Sequence, residues 1–397
     1  MKMNVLAATA VALVISSAAG AKTVSGTSNG LTWTAQNNII GQTSTATQAP
    51  PTPPGMMGNP IYWAHSPVPG YDNSKYSGVV ALILDEGAAG KFICSGSLLA
   101  DRIHVLTAGH CVSSGHGAIT PISATATFYG GTDPEAVIGT TGTPAAGAVR
   151  INVAAFSVNP LYTGDVIDSH DIAIVTLAQA APAFATGYRL DTTSNLVGAN
   201  YNIAGYGGRS DQGGSVGVNL GTGRLRQGDN RYDTRLGDSV FQGVLDASFF
   251  GGTTGETAHS YISDFDNGLA QNDSTCLLVT QGFGGPASPK YCNTGRGASE
   301  VSSAGGDSGG PQFLNGKISS VTSYGLTFGL QPYSGDIDNK LNDTFGELNG
   351  FAPVQFNANY INSVTNLPEP AEWALMLGGF GLLGGAARRR RTTVSFA

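Results

Sequence analysis

The chain has 397 residues, enough for two or three domain-sized units and a sizeable core. Only 12% of residues are charged and the net charge is −7, which excludes the basic surface that nucleic-acid binding requires. With 57 glycines and few helix-favouring Lys, Glu and Leu, the composition predicts an all-β chain of short strands joined by turns. In chain order, Lys2, the apolar run 5–15 and the small residues Ala19 and Ala21 have the three regions of a secretory leader, with cleavage expected after Ala21 by signal peptidase. Residues 22–76, with "QAPPTPPGMMGNP", predict an extended, poorly packed N-terminal arm or propeptide. From residue 77, "SGVVALIL", "KFICSGSLLA", "HVLTAGHCV", "DIAIVTLA", "NIAGYGG" and "GKISSVTSYG" are short, β-branched runs between turn signals and predict strands. Between them "GRLRQGDNRYD" alternates as an exposed hairpin strand would.

The C-terminal end reads "PEPAEWALMLGGFGLLGGAARRRR": Pro368, Glu369 and Pro370, an apolar stretch over 371–387, then four arginines at 388–391. About 17 apolar residues is the lower limit for spanning a bilayer, and the arginines would stay cytoplasmic. This tail resembles the PEP-CTERM sorting signal of Gram-negative bacteria. The resemblance implies transient inner-membrane anchoring, cutting by an exosortase near Pro368–Pro370, and release of the body to the cell surface or medium. The four cysteines, Cys94, Cys111, Cys276 and Cys292, form no CxxC metal pattern. In an exported chain they predict disulfides. Three connectivities are open, and Cys94 with Cys111 and Cys276 with Cys292 is the simplest.

"SSAGGDSGGP" surrounds one acid and one serine with glycine and predicts an unshielded Ser308 in a turn whose backbone N–H groups face a partner. A serine nucleophile needs a base and an acid that orients it. Of six histidines, His110 stands out: in "LTAGHCV" it follows an apolar strand and precedes Cys111, so a disulfide would fix its backbone. Asp171 in "SHDIAIVTL" opens an apolar strand, where a buried carboxylate could hold an imidazole by Nδ1–H.

The order His, Asp, Ser is that of chymotrypsin rather than of subtilisin or the α/β-hydrolases. "CSGSLL", "TAGHC", "DIAIVTL", "GGDSGGP" and "SYG", in order over 77–364, resemble the trypsin/chymotrypsin serine peptidase family. The resemblance implies two packed six-stranded antiparallel β-barrels, about 77–195 and 196–365, with a short C-terminal helix before the hydrophobic tail helix. It implies a His110–Asp171–Ser308 triad acting on protein or peptide substrates without a cofactor. It also implies an oxyanion hole from the N–H groups of Gly306 and Ser308, and a substrate pocket floored by Ser302 and walled by Ser323, Tyr324 and Gly325.

Three departures stand out. No "IVGG" start precedes Cys94 to supply an amino group for Asp307. Ala304 replaces a cysteine that is usual in the family. Residues 210–275 are enlarged, and there "DFDNGLAQND" carries several oxygen ligands without full EF-hand spacing, so no metal is assigned. The other function class open to such a chain is a catalytically inactive serine-peptidase fold used as an adhesion or matrix protein.

Overall fold

The computed structural model describes residues 22–28, 30–37, 43–44, 64, 73–251, 254–329 and 333–365. The leader 1–21, most of the arm over 38–72 and the tail 366–397 with its expected apolar helix lie outside the described residues.

The first half is a closed barrel. In ring order its strands are Ala148–Val158, Ala173–Leu177, His104–Thr107, Lys91–Leu98, Val79–Asp85 and Ser123–Tyr129, each antiparallel to the next. Their inward residues, among them Val80, Leu82, Leu98, Val105 and Phe128, fill the interior. Val79–Asp85 is apolar on both faces because both are covered. On the second face, Tyr206 of the other half donates to Val79 O at 3.1 Å.

The second half departs from the expected closed barrel. Its sheet runs Arg226–Arg231, Asn200–Gly205, Pro311–Leu314, Lys317–Thr327, Leu348–Pro353, Tyr261–Asp264, Thr234–Arg235. The two end strands are consecutive pieces of one stretch, 226–235. Between them the backbone changes sides: Tyr232 N donates to Ala199 O, whereas Asp233 N donates to Ile262 O. The sheet therefore rolls back on itself, but the ladder breaks at this switch and no continuous ring forms. Tyr201, Tyr232 and Phe351 stack inside it, with Tyr232 and Phe351 edge to face at 5.7 Å.

The arm differs from expectation in part. Thr23–Ser28 and Leu31–Asn37 form a hairpin, and Leu31–Asn37 adds to the edge of Lys317–Thr327. Alternation brings Leu31, Trp33 and Ala35 onto one buried face, and Trp33 meets Phe250 edge-on at 5.2 Å. A period-two pattern inside a Thr- and Gly-rich segment was enough to make a core strand. The "GRLRQGDNRYD" strand is likewise buried over most of its length, not exposed. Its Arg226 reaches Glu135 of the first half at 2.5 Å, and Arg224 Nε donates to the Glu135 carbonyl while pairing with the same carboxylate at 3.0 Å. Helix Ala358–Thr365 is a separate unit of two turns. Among the described residues no helix is long and apolar enough to cross a membrane.

Candidate active site

His110 sits in a single turn, Gly109–Cys111, directly after strand His104–Thr107. Cys111 is bridged to Cys94 of the neighbouring strand, which fixes the backbone on both sides of the imidazole. Cys276 and Cys292 form the second bridge. Asp171 precedes strand Ala173–Leu177, which pairs with His104–Thr107, so adjacent strand ends bring acid and base together.

The carboxylate of Asp171 is fully buried and accepts three hydrogen bonds. Oδ1 takes His110 N at 2.7 Å. Oδ2 takes His110 Nδ1 at 2.7 Å and Ser323 Oγ at 2.5 Å. A carboxylate facing Nδ1 selects the tautomer with the proton on Nδ1 and leaves Nε2 as an acceptor. That Nε2 is buried and has no hydrogen-bond partner among the described residues. The site thus holds a base whose accepting nitrogen is unused.

Ser308 follows Asp307 in the glycine-rich turn, and its backbone is held against the first half. Ser95 N donates to Ser308 O at 2.8 Å, and the Cys111 sulfur lies 3.7 Å from the same oxygen. Contrary to expectation the residue is only 2% exposed. The reason is packing of the turn between the halves: a Cβ on Gly309, whose φ is +78°, would come within 2.1 Å of Thr107 Oγ1. No hydrogen bond yet joins Ser308 Oγ to His110 Nε2, as is common before substrate tightens such a pair.

Gly306 adopts φ +101°, a conformation closed to most side chains. Its carbonyl accepts from Ser95 Oγ at 2.8 Å, and Ser95 Oγ in turn accepts from Tyr206 N at 2.9 Å, so a first-half serine sets the orientation of this peptide. The N–H groups of Asp307, Gly309 and Gly310 go to Ala304 O, Thr322 O and Asp307 O. Among the described residues those of Gly306 and Ser308 have no backbone acceptor, which leaves two neighbouring donors for an incoming oxygen. Asp307 is buried and accepts from Gly207 N at 2.8 Å and Ala304 N at 3.3 Å, so backbone donors stand where an amino group was in question. Burial pushes its carboxyl up to about 7.

The four residues expected to form the pocket are all buried. Ser302 Oγ donates to Ser303 O and Asn349 Oδ1, both at 3.1 Å. Ser323 Oγ is spent on Asp171. Tyr324 lies in the core with its hydroxyl 2.8 Å from Ser260 Oγ, and Gly325 pairs with Gln36 and Asn349. Sequence reasoning missed Ser95, Gly207 and Asn349. Only Ser95 carried a signal, as a serine on the outward face of a strand beside Cys94.

Residues 68–252 match the family model Trypsin, a stretch that includes His110 and Asp171 and ends before Ser308. No curated protein matches the chain.

Proposed function

We propose that the chain is an exported trypsin-like serine endopeptidase, with His110 as general base, Asp171 as its orienting acid and Ser308 as nucleophile. The observation that carries this reading is the buried His110–Asp171 pair with a free Nε2, beside a glycine turn with two unspent N–H donors. Ser308 Oγ attacks the scissile carbonyl as His110 Nε2 takes its proton. The oxyanion is stabilised by Gly306 N–H and Ser308 N–H, and the imidazolium is stabilised by Asp171. Nε2 then returns the proton to the leaving amine, the acyl-enzyme forms, and water reverses the sequence.

At the position where the resemblance sets the pocket floor stands Ser302, hydrogen-bonded with Ser303 to Asn349, so the floor residue itself offers a hydroxyl and not a carboxylate to pair a Lys or Arg. Cleavage after apolar or aromatic residues follows. The leader, the PEP motif and the arginine cluster complete the reading with export, exosortase processing and a surface or extracellular address. Hydrolysis of casein by chain lacking leader and tail tests the proposal. Ser308→Ala and His110→Ala should each lose activity by about three decades or more. Folded, disulfide-bonded wild type without any hydrolysis would favour the inactive adhesion protein instead.

A further inference from the structure

Five carboxylates gather in the second half: Asp233 at the switch between the two end strands, Asp264 and Asp266 from "DFDNGLAQND", Asp273 from its end, and Glu300. All five are at most 3% exposed. Among the described residues no Lys or Arg forms an ion pair with any of them, and Arg231 acts weakly on Asp233 alone. One oxygen each of Asp264, Asp266 and Glu300 lie within 4.8 Å of one another. Oxygens coordinating one ion at 2.3–2.6 Å have that spread.

Backbone N–H groups take some of these oxygens. Thr275 N donates to Asp264 Oδ2, Gly268 N to Asp266 Oδ1, Arg296 N to Glu300 Oε1 and Asp266 N to Glu300 Oε2. What remains is independent of the clustering: among the described residues Asp233 Oδ1, Asp264 Oδ1, Asp266 Oδ2 and the hydroxyl of Thr275 are buried with no hydrogen-bond donor, while the Asp264 carboxyl faces that of Asp273 and the Asp266 carboxyl faces that of Glu300. A buried carboxylate oxygen with neither donor nor cation is costly, and three such oxygens with one buried hydroxyl make a set of hard cation ligands.

We propose that Asp264, Asp266 and Glu300, supported by Asp233 and Thr275, form a structural calcium site. All the donors are hard oxygens, which excludes metals that prefer sulfur or imidazole. A buried all-protein cage suits calcium better than magnesium, which keeps its waters. The site joins Tyr261–Asp264 to the segment that enters Val301–Ser302 and leads on to the nucleophile turn. The bridge Cys276–Cys292 closes its flank next to Thr275. Calcium thus fixes the approach to Ser308 without touching substrate.

The test is thermal unfolding of the wild-type chain at pH 7.5 in EDTA, in 1 mM CaCl2 and in 1 mM MgCl2, with calorimetric titration of CaCl2 into chelated protein. Calcium should raise the midpoint by about 5 °C or more, and magnesium should do little. Asp266→Asn and Glu300→Gln should abolish the calcium response yet melt in EDTA no lower than wild type, because each removes an uncompensated charge. Equal midpoints in calcium and EDTA with no heat of binding would overturn the site, and an equal response to magnesium would overturn its assignment to calcium.

Independently, we propose that the N-terminal strand Leu31–Asn37 is a self-supplied cover over the strand edge beside the triad, a proposal that rests on the peptidase reading. Strand Lys317–Thr327 pairs with Leu348–Pro353 on one side up to Leu326. Its other side pairs with Pro311–Leu314 only as far as Val321, so beyond Ser323 that edge is open to an added strand. Residues 34–37 fill it, from Thr327↔Thr34 to Tyr324↔Asn37, one residue from the serine that bonds Asp171. The same segment pairs again at Ser302↔Thr43, in the predicted pocket floor. An extended peptide substrate would add to this edge in the same way.

A site-specific protease sequence placed at 46–52 tests the cover in the chain beginning at Lys22. After cutting and removal of the arm, verified by intact mass, fluorophosphonate labelling of Ser308 should accelerate about tenfold or more. Added 22–44 peptide should slow it again. Equal labelling before and after removal would overturn the cover, whereas no labelling in either form would overturn the peptidase reading beneath it.

Discussion

Asp171 gathers more of the site's geometry than any other residue, with His110 N, His110 Nδ1 and Ser323 Oγ all donating to one buried carboxylate. Asp171→Asn would set an amide against Nδ1 and turn the imidazole to the wrong tautomer. Its kcat should fall by about four decades, with KM changed less than about threefold. Steady-state kinetics on a peptide substrate would show this, and a loss below tenfold would remove Asp171 from the triad. Ser95 works at one remove, through the Gly306 carbonyl. Ser95→Ala should lower kcat about tenfold by freeing that peptide to turn, with KM nearly unchanged, whereas Ser95→Thr should restore most of it. An equal loss in both variants would argue for mere packing. The two kinds of residue were not equally legible. His110, Asp171 and Ser308 announce themselves through short motifs, since each lies in a local turn or strand end. Ser95 and Asn349 act through partners that only the folded chain brings near, such as Gly306, 211 positions from Ser95 in sequence.

Among elements, four of the six first-half strands, Val79–Asp85, Lys91–Leu98, His104–Thr107 and Ala173–Leu177, were readable as short apolar runs, whereas Ser123–Tyr129 and Ala148–Val158, which mix small, polar and apolar residues, were not. The arm strand was not, and the "RLRQGDNR" stretch was legible as a strand but not as a buried one. Trp33 is one aromatic among polar neighbours, and Arg226 counts as a surface residue until Glu135 is placed beside it. The acidic element 264–273 makes a prediction about pH. Without calcium, burial pushes Asp273, Asp266 and Asp233 up to about 6, 7 and 8, and repulsion from Asp273 adds to the rise of Asp266 and Asp233. In the unfolded chain such groups titrate near 4. Between those limits the folded chain therefore binds more protons than the unfolded one. Stability is fully present below about pH 4 and is lost as pH rises through 6 to 8. Asp307, pushed up to about 7, acts with the same sign. Urea midpoints in EDTA should fall between pH 5 and pH 8.5, and saturating calcium should flatten the fall. A midpoint that rises over this range would contradict the burial of these carboxylates.

For the whole molecule, the proposed catalytic constellation depends on two halves meeting, since His110 and Asp171 come from one and Ser308 from the other. Besides the Ser95 links, Glu135 joins them by receiving Arg224 and Arg226, with Arg209 at 3.9 Å. Glu135→Gln leaves three guanidinium groups close together without their counter-charge. It should cost about 3 kcal/mol of stability in urea unfolding, and a cost below about 0.5 kcal/mol would show that other contacts suffice to hold the halves. The two-half architecture was legible from motif order. The broken ring of the second half was not, because it depends on a change of partner at Tyr232 and Asp233 that no composition marks. Activation of Ser308 by His110 is read out by stoichiometric fluorophosphonate labelling followed by peptide mapping. The wild-type chain beginning at Lys22 should take one probe per chain, mapped to Ser308, and His110→Ala should label at least a thousandfold more slowly. Labelling that maps elsewhere, or that proceeds equally fast without His110, would contradict the account.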